Sequence, residues 1–349
     1  MRWKLIFLPI MLLSACQQQD KNTENEVVKW DLQSQANLNS IDFIELEKLA
    51  ENIKIMSKGR FIITVHSAGK IISGSDVIAS VAKGHIQMGN GWPNWWAGQD
   101  PSWAVMNGGP FDFMNIDSSI MFFFEGGGTE MANELSNPKG VLCRPAWWTG
   151  MEFGLLSKTP IRGLDDLKNK KIRVSPGLAS EVFAEASGAY AIPLVQNEIY
   201  PSLKEGAIDA AEWTTSNGVL NLGIHDLAPY AIVPAVWQPS ILSDFLINQE
   251  AYNKLDEDLK VMFETSLKAY TLTTTIKGKV KDIEAMETLL KEGLNVDKWS
   301  PKDIKTWKTA HETVILKYEK NPYTKKVLDE KKKFKEAYRN YYKYFQKYD

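Results

Sequence analysis

Strand, helix and strand follow one another at the start of the body of this 349-residue chain. Lys29-Trp30-Asp31-Leu32-Gln33 alternates apolar and polar side chains, as a half-buried strand does. Ser40 and Asp42 offer helix N-caps, and Leu46, Leu49, Ile53 and Met56 recur at helical spacing. Gly59 ends that helix, and Phe61-Ile62-Ile63-Thr64-Val65 is a β-rich run. Two strands separated by a helix of this length pair in parallel, because a short turn cannot return the chain to the same end of the sheet. The chain is therefore α/β, with helices covering the sheet faces. The grammar recurs: a helix over 76–83, then Ile86-Gln87-Met88 as a short strand. Further along come a helical turn over 164–167, the strand Lys171-Ile172-Arg173-Val174, helices over 180–186 and 199–205, and the strand Ile208-Asp209-Ala210-Ala211.

SVAKGHIQMGNGW (80–92) and SLKEGAIDAAEW (202–213) echo each other. Each reads as helix, glycine stop, short apolar strand and a Trp beyond it. Chance produces such echoes too. Taken as real, it predicts two similar α/β lobes whose strands end at a shared cleft, where open α/β sheets hold their ligands.

Hydrophobic residues make up 44% and charged residues 24%, which excludes a disordered chain. A net charge of −2 gives no basic surplus for nucleic acid. His66, His85, His225 and His311 stand singly and there are only two cysteines, so no local Cys/His metal cage forms. No apolar run is long enough to cross a membrane. The N-terminus, MRWKLIFLPIMLLSAC, has a charged start, a short apolar stretch and small residues before Cys16. It reads as a secretory signal over 1–16. Leu13-Ser14-Ala15-Cys16 resembles a bacterial lipobox, which implies a lipid on Cys16 and anchoring of a periplasmic protein. Gln17 after it resembles the outer-membrane sorting signal. Residues 17–28 then read as a polar tether, 29–150 as a first lobe to which later segments return, 151–248 as a second lobe, and 249–349 as a helical extension. Cys143, left without an intramolecular partner, reads as a small buried hydrophobe.

In that extension, helices are expected over 255–270, 274–292 and 300–317. The last segment places Phe334, Tyr338, Tyr341, Tyr342 and Phe345 on one helix face. Such a stripe packs on the body, docks on a second copy as a homodimer, or lies on a membrane surface.

No G-x-S-x-G, H-E-x-x-H, P-loop or dinucleotide fingerprint occurs. Gly126-Gly127-Gly128 reads as a flexible loop. Arg173 sits between Ile172 and Val174, near the carboxyl end of its strand. A guanidinium there is costly unless an anion or an ion-pair partner meets it, and its planar fork matches a carboxylate. Glu212-Trp213 ends the next strand. The Trp can wall an apolar slot, and the Glu can ligate a hard cation or simply sit at a rim. Trp92, Trp95, Trp96 and Trp103 cluster in a loop and either pack between lobes or line a slot.

At these residues the chain resembles the DctP-type solute-binding proteins of TRAP transporters. The likeness is carried by RGLDDLKNKKIRVSPGLASEVFAEASGAYAIPL (162–194), EIYPSLKEGAIDAAEWTTSN (198–217), GKIISGSDVIASVAKGHIQMGNGW (69–92) and GGPFDF (108–113). Within the family, IYPSLKEGAIDAAEW looks most like the branch that binds 2-oxo acids and lactate with a metal ion. The resemblance implies a two-lobed, periplasmic-binding-protein-like α/β architecture with a long hinge helix. It implies a small carboxylate ligand, a cation (Na⁺ or Ca²⁺) and a membrane permease as partner. Arg173 falls on the carboxylate-pairing position, Glu212 on the metal-ligand Glu, and Trp213 on the residue whose carbonyl and ring face the ligand. Trp95 falls near a pocket aromatic, and Asn217, Trp237 and Gln238 are further candidate contacts. Where the branch has Gln, this chain has Glu152; where it has Glu after a Trp, this chain has Gln238. Glu152 is therefore expected to join Glu212 and the Trp213 carbonyl at the cation. An alternative from another class is an extracellular lyase or hydrolase using Glu152 and Glu212 as an acid/base pair.

Overall fold

The computed structural model describes residues 27–345. The signal segment, Cys16 and the tether up to residue 26 lie outside the described residues. Val28, expected at the tether's end, already opens the first strand.

The first half runs β1 (Val28–Gln33), α1 (Ile41–Met56), β2 (Phe61–His66), α2 (Val77–Ala82), β3 (Met88–Gly91), α3 (Trp103–Met106), α4 (Ile116–Glu125), α5 (Gly128–Ser136) and β4 (Val141–Trp148). The chain then crosses to β5 (Leu155–Ser157), β6 (Lys171–Arg173), α6 (Leu178–Ser187), β7 (Tyr190–Ile192), α7 (Gln196–Glu205), β8 (Ala210–Glu212), α8 (Ser216–Leu222) and β9 (Tyr230–Val233). It returns through β10 (Leu242–Asn248), α9 (Gln249–Asn253) and α10 (Glu257–Lys291), and ends with β11 (Asn295–Lys298), α11 (Pro301–Tyr318) and α12 (Pro322–Tyr342).

Two sheets result. The first is ordered β2-β1-β3-β10-β4 and the second β11-β9-β5-β8-β6-β7. β1 pairs in parallel with β2 and β3, as the β-α-β reading requires. Ser40 caps α1, accepting from the Phe43 N–H, and Leu46, Leu49 and Ile53 are buried. Trp30, Phe61 and Phe263 meet edge to face or tilted at centroid distances of 4.9–5.8 Å.

Several expected boundaries move. Residues 242–248, read as the end of the second lobe, are β10 of the first sheet, and β11, from the expected helical extension, closes the second sheet. Ile86-Gln87-Met88 is not a strand of its own; pairing begins at Met88, where β10 lies alongside. The two helices expected over 255–292 are one 35-residue helix, α10. No Gly or Pro interrupts 270–274. The β-branched run that lowers intrinsic propensity is held by packing instead, with Thr271 bonded to the Pro145 carbonyl at 2.9 Å and Thr274 fully buried. This rod is about 52 Å long at 1.5 Å per residue. It touches α1 and β4 of the first lobe and α8 of the second. The Gly126–Gly128 run is a tight joint between α4 and α5 rather than a flexible loop: Gly127 takes φ +89°, and a β-carbon at Gly126 would crowd Phe122. Cys143 is buried and unpaired, as expected of a small hydrophobe.

The terminal helices strap both lobes. α11 lies on α6, and α12 lies on α3 and α4. On α12, Phe334 packs against Phe113 and Phe122, and Lys331 is buried on Asp112 and the Val105 carbonyl. Past them, Tyr341, Tyr344 and Phe345 are exposed. No helix among the described residues is long and apolar enough to cross a membrane.

Candidate functional site

Two backbone segments cross between the sheets, 149–154 and 234–241. They are laced together where the Glu152 N–H donates to the Pro239 carbonyl at 2.9 Å. Glu152 and Gln238 ride on these crossings, and both are buried. Beside them the strands β6 and β8 end, delivering Arg173 and Glu212 to one spot.

Alternation turns Arg173 away from the apolar faces of Ile172 and Val174, and it is only 6% exposed. Its Nη1 donates to Glu212 Oε2 at 2.9 Å and to the Glu212 carbonyl at 2.8 Å. Its Nε donates to the Leu194 carbonyl at 3.1 Å. Its Nη2 makes no hydrogen bond among the described residues. The Trp213 ring lies against the guanidinium, 5.0 Å from Cζ to the centroid. Glu212 Oε2 also accepts from the Ser175 N–H at 3.0 Å. The guanidinium is thus held by three acceptors and a ring, with one terminal nitrogen left over.

Glu152 completes a second half of the site. Its Oε2 is buried without a hydrogen-bond partner among the described residues. Burial pushes its carboxyl well above the ordinary range, and the negative charges of Glu212 and Asp282 push it further against the pull of Arg173. Asp282 comes from α10. It accepts from the Asn217 N–H at 3.2 Å, and its own carboxyl is raised to about 6 by burial. A β-carbon at Gly150 would collide with it, so the crossing needs glycine there, at φ +130°. Sequence reasoning missed Asp282 and Ser175. Ser175 stands two residues past Arg173 and was within reach of a local reading; Asp282, on a remote helix, gave no local signal.

The expected aromatics divide. Trp96 and Trp103 are fully buried and meet edge to face at 5.5 Å, so they are core. Trp95 is 40% exposed and lies over Gly74 at the rim. Trp237 is no rim residue: it is fully buried in a cluster with Phe183, Trp299 and Trp307, although its indole N–H finds no acceptor. Asn217 reaches the site through its backbone N–H on Asp282.

The first lobe faces this charged floor. The Asn94 carbonyl lies 3.9 Å from where a Gly177 β-carbon would stand, just past Arg173. Asn37 Nδ2 donates to Gln196 Oε1 at 2.6 Å across the mouth. The carboxyl ends of β1 and β3 therefore oppose those of β6 and β8. A surface groove near Lys29, Lys83, Asn248 and Asp256 lies elsewhere, at the amino end of β1. Among the described residues no three His, Cys, Asp or Glu side chains are arranged around a metal position.

Residues 32–321 match the model of the bacterial extracellular solute-binding proteins, family 7, of DctP type. The chain belongs to that family. A curated relative, a monocarboxylate 2-oxoacid-binding periplasmic protein of Nostoc sp., is 31% identical over 258 residues, 74% of this chain and 70% of that protein. Among solved structures, a TRAP periplasmic solute-binding protein of Pseudoalteromonas atlantica with bound sodium and pyruvate is 26% identical with a TM-score of 0.85, covering 92% of this chain and 97% of that one. A second, from Colwellia psychrerythraea with bound calcium and pyruvate, has the same identity and TM-score over 92% and 98%. Membership makes the chain an extracytoplasmic solute receptor that works with membrane permease subunits, and bears out the fold expected from the sequence.

Proposed function

We propose that this receptor captures a small 2-oxo or 2-hydroxy acid, together with a cation, and delivers it to a TRAP permease. The observation that carries the reading is the buried Arg173–Glu212–Glu152 group. Arg173 is fixed on one side by Glu212 and Leu194 and keeps Nη2 for an incoming carboxylate. Trp213 holds the guanidinium plane and shields it from water. The same relatives that bind pyruvate hold sodium or calcium.

The residues fit such an ion. Glu152 Oε2 is an orphaned, buried oxygen beside a second carboxylate, a hard donor set suited to Na⁺ or Ca²⁺. Glu152, Glu212 and the Trp213 carbonyl would hold it. Bound there, it supplies positive charge for the ligand's second oxygen. Formal charges favour the divalent ion. Arg173, Asp282, two ionised Glu and a ligand carboxylate sum to minus three, of which Ca²⁺ leaves one uncancelled and Na⁺ two. Lobe closure, marked by the Asn37–Gln196 contact, dries the site and strengthens each of these interactions.

Two further parts of the reading concern the ends of the chain. Cys16 carries a lipid that tethers the receptor to a membrane. Exposed Tyr341 on α12, with Tyr344 and Phe345 in the turn after it, supports self-association of this end with a second copy. The test of the main reading is mass spectrometry of small molecules released from natively purified protein, followed by calorimetry with 2-oxo and 2-hydroxy acids, with and without Na⁺ or Ca²⁺. Recovery of an intact small carboxylate is expected. A released molecule without a carboxylate, or turnover of the added acids, overturns the reading.

A further inference from the structure

The second lobe supplies the charges of the site. The first lobe supplies two carboxamides with an atom that no group among the described residues bonds. Gln35 stands two residues past β1, and its Nε2 is buried without a hydrogen-bond partner. Asn94 stands three residues past β3, and its Oδ1 is likewise buried and unpartnered. Both belong to one wall. A β-carbon at Gly74 would collide with the Trp95 ring and come within 2.6 Å of Gln35 Oε1, so that glycine admits both side chains. Gln35 Cγ also lies 3.8 Å from the β-carbon position of Gly91. Asn94 precedes Trp95, and its carbonyl faces Gly177 beyond Arg173. The wall therefore stands over the carboxyl ends of the strands that carry Arg173 and Glu212.

Buried polar groups in folded proteins nearly always find partners, and an orphan beside a ligand cleft is a place where a ligand atom restores the bond. We infer that Gln35 and Asn94 read a polar substituent on the ligand, at the end remote from its carboxylate. A ligand hydroxyl serves either atom, accepting from Gln35 Nε2 or donating to Asn94 Oδ1. The preferred ligands are then 2-oxo acids hydroxylated at carbon 3 or beyond, over aliphatic acids of the same size. A site that hydrogen-bonds a hydroxyl rejects the analogue lacking it far more strongly than an apolar slot discriminates by shape.

This inference rests on the carboxylate reading above, and hydroxypyruvate and 2-oxobutyrate test the two separately. They differ by exchange of a hydroxyl for a methyl. Calorimetry on the wild-type protein with Ca²⁺ or Na⁺ present is expected to show hydroxypyruvate binding at least tenfold tighter. Gln35→Met, which keeps length and removes the amide, is expected to bring the two within about threefold, chiefly by weakening hydroxypyruvate. Asn94→Ser provides a second route should Gln35→Met fold poorly, with the same narrowing expected. Equal affinities in the wild type, or a preference that survives both substitutions, overturns the inference while leaving the carboxylate reading intact. Binding of neither acid with either ion overturns both.

Discussion

The two lobes share a layered α/β plan but bring different chemistry to the cleft. At the ends of β6 and β8 the second lobe presents a buried guanidinium and carboxylate, each pinned by backbone: Leu194 and Glu212 carbonyls for one, the Ser175 N–H for the other. At the ends of β1 and β3 the first lobe presents amides and indoles over glycines, with no charge among Gln35, Asn94 and Trp95. A charged floor fixed before the ligand arrives costs little reorganisation on binding, so it sets affinity and ligand class. A neutral, closely packed wall adds only when the lobes meet, so it sets choice among ligands of one class.

The sharpest way to break this contrast is Arg173→Ala. It removes the carboxylate donor and leaves Glu212 buried without its ion-pair partner, a loss of about 3–5 kcal/mol in such settings. Calorimetry is expected to show affinity for the acid falling roughly 100-fold or more. If it holds, the floor is not where affinity resides. Glu152→Gln comes next. It retains shape and removes one carboxylate, so the dependence of ligand affinity on Ca²⁺ is expected to drop about tenfold, read from titrations at fixed acid. Unfolding without ligand should shift to higher temperature, because a crowded buried carboxyl has gone.

A control within the first lobe is Asp244 on β10, fully enclosed and bonded by Asn107 Nδ2 at 2.7 Å. Burial raises its carboxyl from 3.8 to about 8. A folded-state value above the unfolded one favours the protonated fold, so stability is fullest at low pH and declines as pH rises through that window. Asp244→Asn is expected to flatten the melting temperature between about pH 4 and pH 8 and to raise it by several degrees at the upper end, with ligand affinity unchanged. The smallest effect belongs to the mouth. Asn37→Ala removes one exposed amide pair, and stopped-flow release is expected to quicken about two- to fivefold, in line with a hydrogen bond of about 0.5–1 kcal/mol.

Arg173 was legible because alternation and the cost of burying charge are local facts. Glu212 and Trp213 were legible through the echo of one strand end in the other. The layered α/β plan followed from periodicity alone. What stayed hidden depended on distance along the chain. Asp282 joins the site only because α10 runs unbroken past the stretch of β-branched residues where its helical pattern seemed to pause. Trp237 was expected as a ligand contact, and its packing against three aromatics from α6, α11 and the β11–α11 link was not legible from the local sequence. β10 returned to the first sheet because its register partners are β3 and β4, which a linear reading cannot see.

The amide contact between positions 37 and 196 has a practical use. It spans the gap between the halves from exposed side chains, so a dye attached at either site would sense the shutting of the jaw without touching the cargo. A receptor of this design is already most of an optical sensor for its own acid.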